Sequence, residues 1–288
     1  MRRRPALLTT ALITAGLVVG GGLAADAAPA AVPAGRADAR VLLDRLTVRS
    51  DSHAASYQRR AFHVWNDADR DRLDTRAEVL KAESRVTASV NRYGTVKGGR
   101  WISRYDNRVV TKATRLDVDH LVPLAEAWRS GAWKWSATRR EAFGNDLGYG
   151  PSLIAVTRSS NRSKGDRDPA GWMPPASSYA CAYVKQWIAV KSRWHLSVDR
   201  VERKALAAGL DGCDSLAVAK PGKPAISALV ERRKTRTTTP KPAGGGASSA
   251  YYRNCDAVRA AGRAPLYRGQ PGYETPRLDR DGDGVACE

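Results

Sequence analysis

Asp119 and His120 stand side by side in Leu116-Asp117-Val118-Asp119-His120-Leu121-Val122-Pro123, and Asn161 follows in Ser160-Asn161-Arg162-Ser163-Lys164-Gly165-Asp166. This trio suits the hydrolysis of a phosphodiester. That reaction needs a base for water, a cation for the scissile oxygens and positive groups for the flanking phosphates. An imidazole titrates near neutrality, which makes His120 the candidate base. Asp119 offers a hard oxygen suited to Mg²⁺, and the amide oxygen of Asn161 offers a neutral second one. Few protein ligands suffice, because Mg²⁺ keeps several waters and takes the rest from substrate phosphate. Asp117, two residues before Asp119, is the fallback ligand, since alternate residues of a strand share a face.

The elements that must hold these residues are legible around them. Asp117, Asp119 and Leu121 alternate with Val118, His120 and Val122, which predicts a short strand stopped by Pro123. Leu153 to Thr157 is a second β-prone run. Ser159-Ser160 can cap a helix that carries Asn161 and Lys164 one turn apart. The predicted order is strand, connection, strand, helix. In the connection, Leu124 to Trp128 predicts one helix, Gly131 breaks it, and Ser136 or Thr138 caps a second that ends near Phe143.

This arrangement resembles the HNH, or ββα-metal, nucleases, and most of all the secreted bacterial HNH family related to the nuclease domain of modification-dependent restriction enzymes. The residues that carry the resemblance are Asp119-His120 with Pro123, Asn145-Asp146-Leu147, and Asn161 through Asp166. The resemblance implies an α+β fold, a ββα-metal core wrapped in helices. It implies His120 as base and Asp119 with Asn161 as ligands of Mg²⁺ or Mn²⁺. It makes Asn145 the residue that braces the loop and orients His120, and it sets Arg162 and Lys164 against phosphate.

Composition agrees with a polyanionic partner. The 288 residues carry a formal net charge of +19, which suits nucleic acid or anionic cell-wall polymers. Arg2 to Arg4, the apolar run Ala6 to Leu23 and the small residues at Ala25-Asp26-Ala27 read as an export leader over residues 1–30. No later stretch is long and apolar enough to span a bilayer. An exported chain with four cysteines, Cys181, Cys213, Cys255 and Cys287, suits disulfides. Three pairings are formally possible, and the division into domains favours Cys181–Cys213 with Cys255–Cys287. The absence of Cys-x-x-Cys and His-Glu-x-x-His argues against a zinc knuckle and a zinc protease.

Elsewhere, Asp38 to Leu46 and Ser52 to Trp65 read as helices, and Gly94 to Lys112 as a β-hairpin whose Arg100, Arg104, Arg108 and Lys112 can face phosphate. Asp67, Asp69, Asp71 and Glu78 stand at EF-hand spacing, with Arg72 where that loop needs glycine and Asp74 or Thr75 able to cap a following helix. Ser178 is expected to begin a helix carrying Tyr183, Trp187 and Trp194, and Ser197 to cap another through Leu210. The first domain is thus expected over 38–214, followed by an extended Pro, Gly, Thr and Lys linker over 215–249.

Residues 250–288 form the last unit. Asn254-Cys255, Pro271-Gly272-Tyr273 and the acidic terminus resemble the Excalibur domain, a small extracellular calcium-binding module. Asp279, Asp281 and Asp283 alternate as in an EF-hand loop, and Glu288 completes a Ca²⁺ ligand set. So short a unit needs its disulfide and its metal to hold together. The whole reads as a secreted, monomeric, metal-dependent endonuclease acting on DNA, and RNA as a second substrate, with little sequence preference. The rival expectation is a non-catalytic protein that binds extracellular polyanions.

Overall fold

A computed structural model describes residues 34–226, 251–273, 277–279 and 285–287. The leader, the stretch 227–250, and the expected calcium ligands Asp281, Asp283 and Glu288 lie outside the described residues.

The first domain opens with a short clasp. Strand β1 (Arg36–Asp38) pairs antiparallel with Ala217–Ala219, with Arg36 opposite Ala219. Asp38 then caps helix α1 (Ala39–Asp44), its carboxylate accepting the amides of Arg40 and Val41. Ser52 to Trp65, expected as one helix, instead forms two short 3₁₀ turns, Ala54–Ser56 and Arg59–Phe62. His53, His63 and Trp65 all have positive φ, which no continuing right-handed helix accommodates. The apolar stripe of Phe62 and Trp65 is real, but it packs from a folded-back loop.

Helix α2 (Thr75–Glu83) starts at Asp74, whose side chain accepts the amide of Ala77. An antiparallel sheet follows, ordered β2 (Ser89–Val90), β3 (Val96–Ile102) and β4 (Val109–Lys112). The expected hairpin is its second and third strands. Strand β5 (Leu116–His120) then pairs antiparallel with β6 (Leu153–Thr157), with Asp119 opposite Ile154 and His120 opposite Leu153. Between them lie α3 (Leu124–Arg129) and α4 (Ala137–Gly144), the latter capped by Ser136. Helix α5 (Arg158–Lys164) leaves β6 at once and packs on both strands. Its cap is Thr157, two to three residues earlier than the serines suggest, with the hydroxyl accepting from the Ser160 amide.

Every residue of β6 is buried, because the two-stranded sheet is covered on both faces. Leu116, Val118, Leu153 and Ala155 join Leu80 and Trp101 on one side. Ile154 and Val156 join the larger core of Tyr183, Trp187 and Trp194 on the other. The outer edge of β6 is closed by side chains. Glu83 accepts the Ala155 amide at 3.0 Å, and the Ser103 hydroxyl accepts the Thr157 amide at 3.0 Å. An edge satisfied in this way offers no template for another strand.

The helical layer is α6 (Ser177–Trp194) and α7 (Arg200–Asp211), the latter capped by Asp199 and not by Ser197. Buried charge ties it to the connection. Lys191 donates to Glu126 at 2.7 Å and to Glu202 at 2.6 Å, and Arg193 meets Asp146 through two bonds of 2.8 Å. Strand β7 (Ala217–Ala219) returns to β1, so the domain closes beyond Cys213 and the expected linker begins later than Ser215.

Both expected disulfides are present, Cys181–Cys213 and Cys255–Cys287. The last unit holds α8 (Cys255–Ala260) and a ladder of β8 (Leu266–Tyr267) with β9 (Val285–Ala286) around Val258, Leu266, Leu278 and Ala286. Among the described residues no helix is long and apolar enough to cross a membrane.

Candidate active site

His120 ends β5 at the floor of a cleft of about 390 Å³, whose lining includes Tyr57, Arg59, Asp119, Asn161 and Asp166. Its ring lies 5.4 Å from that of Trp65 and 6.3 Å from that of Phe143. Nε2 is 2.9 Å from the carbonyl oxygen of Gly144. A carbonyl only accepts, so Nε2 carries the hydrogen of a neutral ring and Nδ1 keeps its lone pair. Burial, with Arg59 and Lys164 nearby, pulls the imidazole from 6.5 down to about 3 against the opposing pull of the Gly144 carbonyl. The residue expected to titrate near neutrality is therefore held neutral through the physiological range. The reason is that water cannot solvate its charged form.

This has a stability consequence with a definite sign. The unfolded chain takes up a proton on His120 near pH 6.5, whereas the folded chain resists until about pH 3. His120 thus costs nothing above pH 6.5, and it lowers stability as pH falls below it by roughly 1.4 kcal/mol per pH unit. Denaturant melts from pH 7 to pH 5 on the wild type and His120→Asn check this. The gap between the two should shift against the wild type with that slope.

Asp119 is 7% exposed and shares a strand face with Asp117. Its Oδ2 accepts two bonds of 2.6 Å, from the Lys164 ammonium and the Tyr105 hydroxyl. Lys164 also donates to the His120 carbonyl at 3.0 Å and is 0% exposed. The expectation that Lys164 meets phosphate is therefore corrected: its ammonium is spent inside, on the carboxylate. Burial draws this ammonium downward and the charge of Asp119 holds it up. Arg162, on the other face of α5, is exposed.

Asn161 reaches the same cleft from α5, and its Nδ2 donates to Oδ2 of Asp117 at 3.1 Å. A carboxylate only accepts, so this bond fixes the orientation of the amide and leaves Oδ1 free. Oδ1 of Asp119 likewise has no hydrogen-bond partner among the described residues. Two oxygen donors without partners on one cleft, one charged and one neutral, fit a hard cation such as Mg²⁺ or Mn²⁺. Asp117, the fallback ligand, is occupied by Asn161 and stands 3.5 Å from Arg158.

Asn145 braces the wall over His120. Its Oδ1 accepts from the Asn66 amide at 3.0 Å and from the Thr75 hydroxyl at 2.8 Å, while Nδ2 donates to the carbonyls of His63 at 2.8 Å and Glu141 at 2.9 Å. These bonds knot the loop that carries Trp65 to the end of α4. It is the neighbouring Gly144 whose carbonyl holds the imidazole. A Cβ on Gly144 would come within 2.9 Å of a Val64 methyl, so glycine permits this close approach.

Arg59 and Tyr57 escaped the sequence reading. Arg59 is the cation that lines the cleft among the described residues. Nothing in Tyr57-Gln58-Arg59-Arg60 separates it from Arg60; the folding-back of the loop selects it. Arg100, Arg108 and Lys112 are exposed on the adjoining sheet, and Arg104 leans toward Glu83 at 3.9 Å.

The acidic loop converges as its spacing suggests. Oxygens of Asp67, Asp69 and Asp71 lie within 4.8 Å of one another, exposed, and Arg72 takes the positive φ that glycine would favour. Burial and the charge of Asp71 raise the Glu78 carboxyl. In the last unit, Asp279 is buried and accepts the hydroxyl of Tyr273.

Residues 67–208 match the C-terminal domain of GmrSD restriction endonucleases, and residues 252–288 match the Excalibur calcium-binding domain. An uncharacterized secreted protein of Arthroderma benhamiae is 40% identical over 192 residues, a stretch that spans 65% of this chain and 93% of that protein. No solved structure matches the chain. Two disulfides, one of them within the Excalibur domain, fit an extracellular protein. The chain thus belongs to the family of the GmrSD restriction endonuclease C-terminal domain, with an Excalibur calcium-binding domain at residues 252–288.

Proposed function

We propose that the protein is a secreted, divalent-metal-dependent endonuclease that hydrolyses phosphodiester bonds of DNA with little sequence preference. The observation that carries this is the meeting of His120, Asp119 and Asn161 on one cleft, within the segment that matches a nuclease family. In this reading β5, β6 and α5 are the ββα-metal core of an HNH nuclease. Asp119 and Asn161 would hold Mg²⁺ or Mn²⁺ through their open oxygens, and the ion would supply charge stabilisation at the phosphoryl oxygens.

The chain's own residues do the rest. Nδ1 of His120 accepts the proton of the attacking water, while Nε2 stays tied to Gly144. A phosphodiester seated in the cleft brings negative charge, which favours the protonated ring and raises its basicity from the resting value. Arg59 receives a phosphate oxygen at the cleft mouth. Arg162 and the exposed cations of the β3–β4 hairpin add backbone contacts that read no bases. The Excalibur domain takes Ca²⁺, with Asp279, Asp281, Asp283 and Glu288 as its acidic ligands. The protein acts as a monomer.

The test is relaxation of supercoiled plasmid by the full chain at low salt, with Mg²⁺, Mn²⁺ or a chelator, beside Asp119→Ala. Nicking only by the wild type with metal supports the reading. Equal nicking by Asp119→Ala would reveal a contaminant. Binding of DNA and RNA without cleavage under any metal would leave a polyanion-binding protein.

A further inference from the structure

Oδ2 of Asp119 already accepts two hydrogen bonds, from Tyr105 and Lys164, each of 2.6 Å. A carboxylate oxygen has two lone-pair sites. This oxygen is therefore saturated from inside the protein, and Oδ1 alone remains for a ligand in the cleft. Neither donor can drift away. Tyr105 and Lys164 are both 0% exposed, and the Tyr105 ring is wedged between Trp172 at 4.9 Å and Tyr183 at 5.8 Å.

We propose that Tyr105 and Lys164 are positioning residues that select the metal, by restricting Asp119 to coordination through one oxygen. The inference rests on Asp119 being a metal ligand. Mg²⁺ and Mn²⁺ accept one oxygen from each of a few carboxylates and fill an octahedron with water and phosphate. Ca²⁺ takes more oxygens and gains from two-oxygen carboxylates. A locked Oδ2 withholds that gain. The device has a use in this chain, because its Excalibur domain is built for calcium. The nuclease cleft would then keep its own ion in surroundings that load the neighbouring domain.

Tyr105→Phe keeps the ring and removes one of the two locks. Free Mn²⁺ is followed by electron paramagnetic resonance in the full chain, with Asp119→Ala as the blank that isolates the cleft site. Ca²⁺ is then added at buffered concentrations. Ca²⁺ should displace the Asp119-dependent Mn²⁺ from Tyr105→Phe at a concentration at least about tenfold lower than from the wild type, because the freed Oδ2 gives Ca²⁺ a contact that it lacks there. In the wild type alone, Mg²⁺ should displace it at lower concentration than Ca²⁺ does. Equal Ca²⁺ midpoints in wild type and Tyr105→Phe, or a wild-type preference for Ca²⁺ over Mg²⁺, would overturn the inference while Asp119 stays a ligand. Undiminished Mn²⁺ binding by Asp119→Ala would overturn both.

Discussion

Replacing His120 with alanine is expected to slow phosphodiester cleavage by about 10²–10⁴-fold, the range spanned by a positioned general base. Binding of Mn²⁺ should survive, because Asp119 and Asn161 reach the cleft from their own backbone positions. The size of the effect follows from geometry. Nε2 is pinned to the Gly144 carbonyl at 2.9 Å, so the ring presents Nδ1 in one orientation. Water alone offers no base held in this way. Initial rates on supercoiled plasmid at saturating Mg²⁺ measure it, with Mn²⁺ binding in parallel to show that the site is intact. A variant that cuts at the wild-type rate would remove His120 from the chemistry.

A large expected loss of stability lies one residue beyond the Asn145 brace. Asp146 is 6% exposed and accepts four bonds: two from Arg193 at 2.8 Å, one from Trp194 at 3.0 Å and one from Ser152 at 2.8 Å. Asp146→Ala strands a guanidinium that is itself 5% exposed. Removing one partner of such a buried pair costs about 3–5 kcal/mol. Against a typical total of about 5–15 kcal/mol, that is a large share. Denaturant titration should show the midpoint falling accordingly. Asp166→Ala is the contrast: its bond to Arg129 is a surface pair, worth about 1 kcal/mol or less. Equal losses in the two variants would mean that burial does not set the scale.

The parts of the site that could be read in the sequence are those set by local rules. Alternation around Asp119 marks β5, which ends at His120, two residues short of the expected stop before Pro123; the β-branched run Leu153 to Thr157 marks β6 with the observed bounds, and Ser136 and Gly131 punctuate the connection as expected. The parts that could not be read depend on distant chain. Lys164 looks like a surface cation on a short polar helix; only the arrival of Tyr105 and Asp119 around it makes it internal. Arg59 becomes a cleft residue because His53, His63 and Trp65 adopt left-handed backbone, a choice no periodicity announces. Strand β7, inside the stretch expected as linker, is hidden in the sequence for a similar reason. Ala217-Val218-Ala219 has little strand character until β1 lies beside it.

That last pairing has a mechanical meaning. Arg36 at the start of β1 faces Ala219 at the end of β7, so the chain enters and leaves the domain at the same point. Tension applied through residues on either side does not shear this pair of strands. It peels them, breaking one rung at a time, as a zipper opens from its tab. A three-rung zipper yields at far lower force than a sheared ladder, whose rungs share the load. Tension carried along the chain through residues 36 and 219 therefore reaches this clasp before the rest of the domain. Beyond it the pull passes into α1 and the turn after α7, while β5, which holds Asp119 and His120, lies farther along the chain.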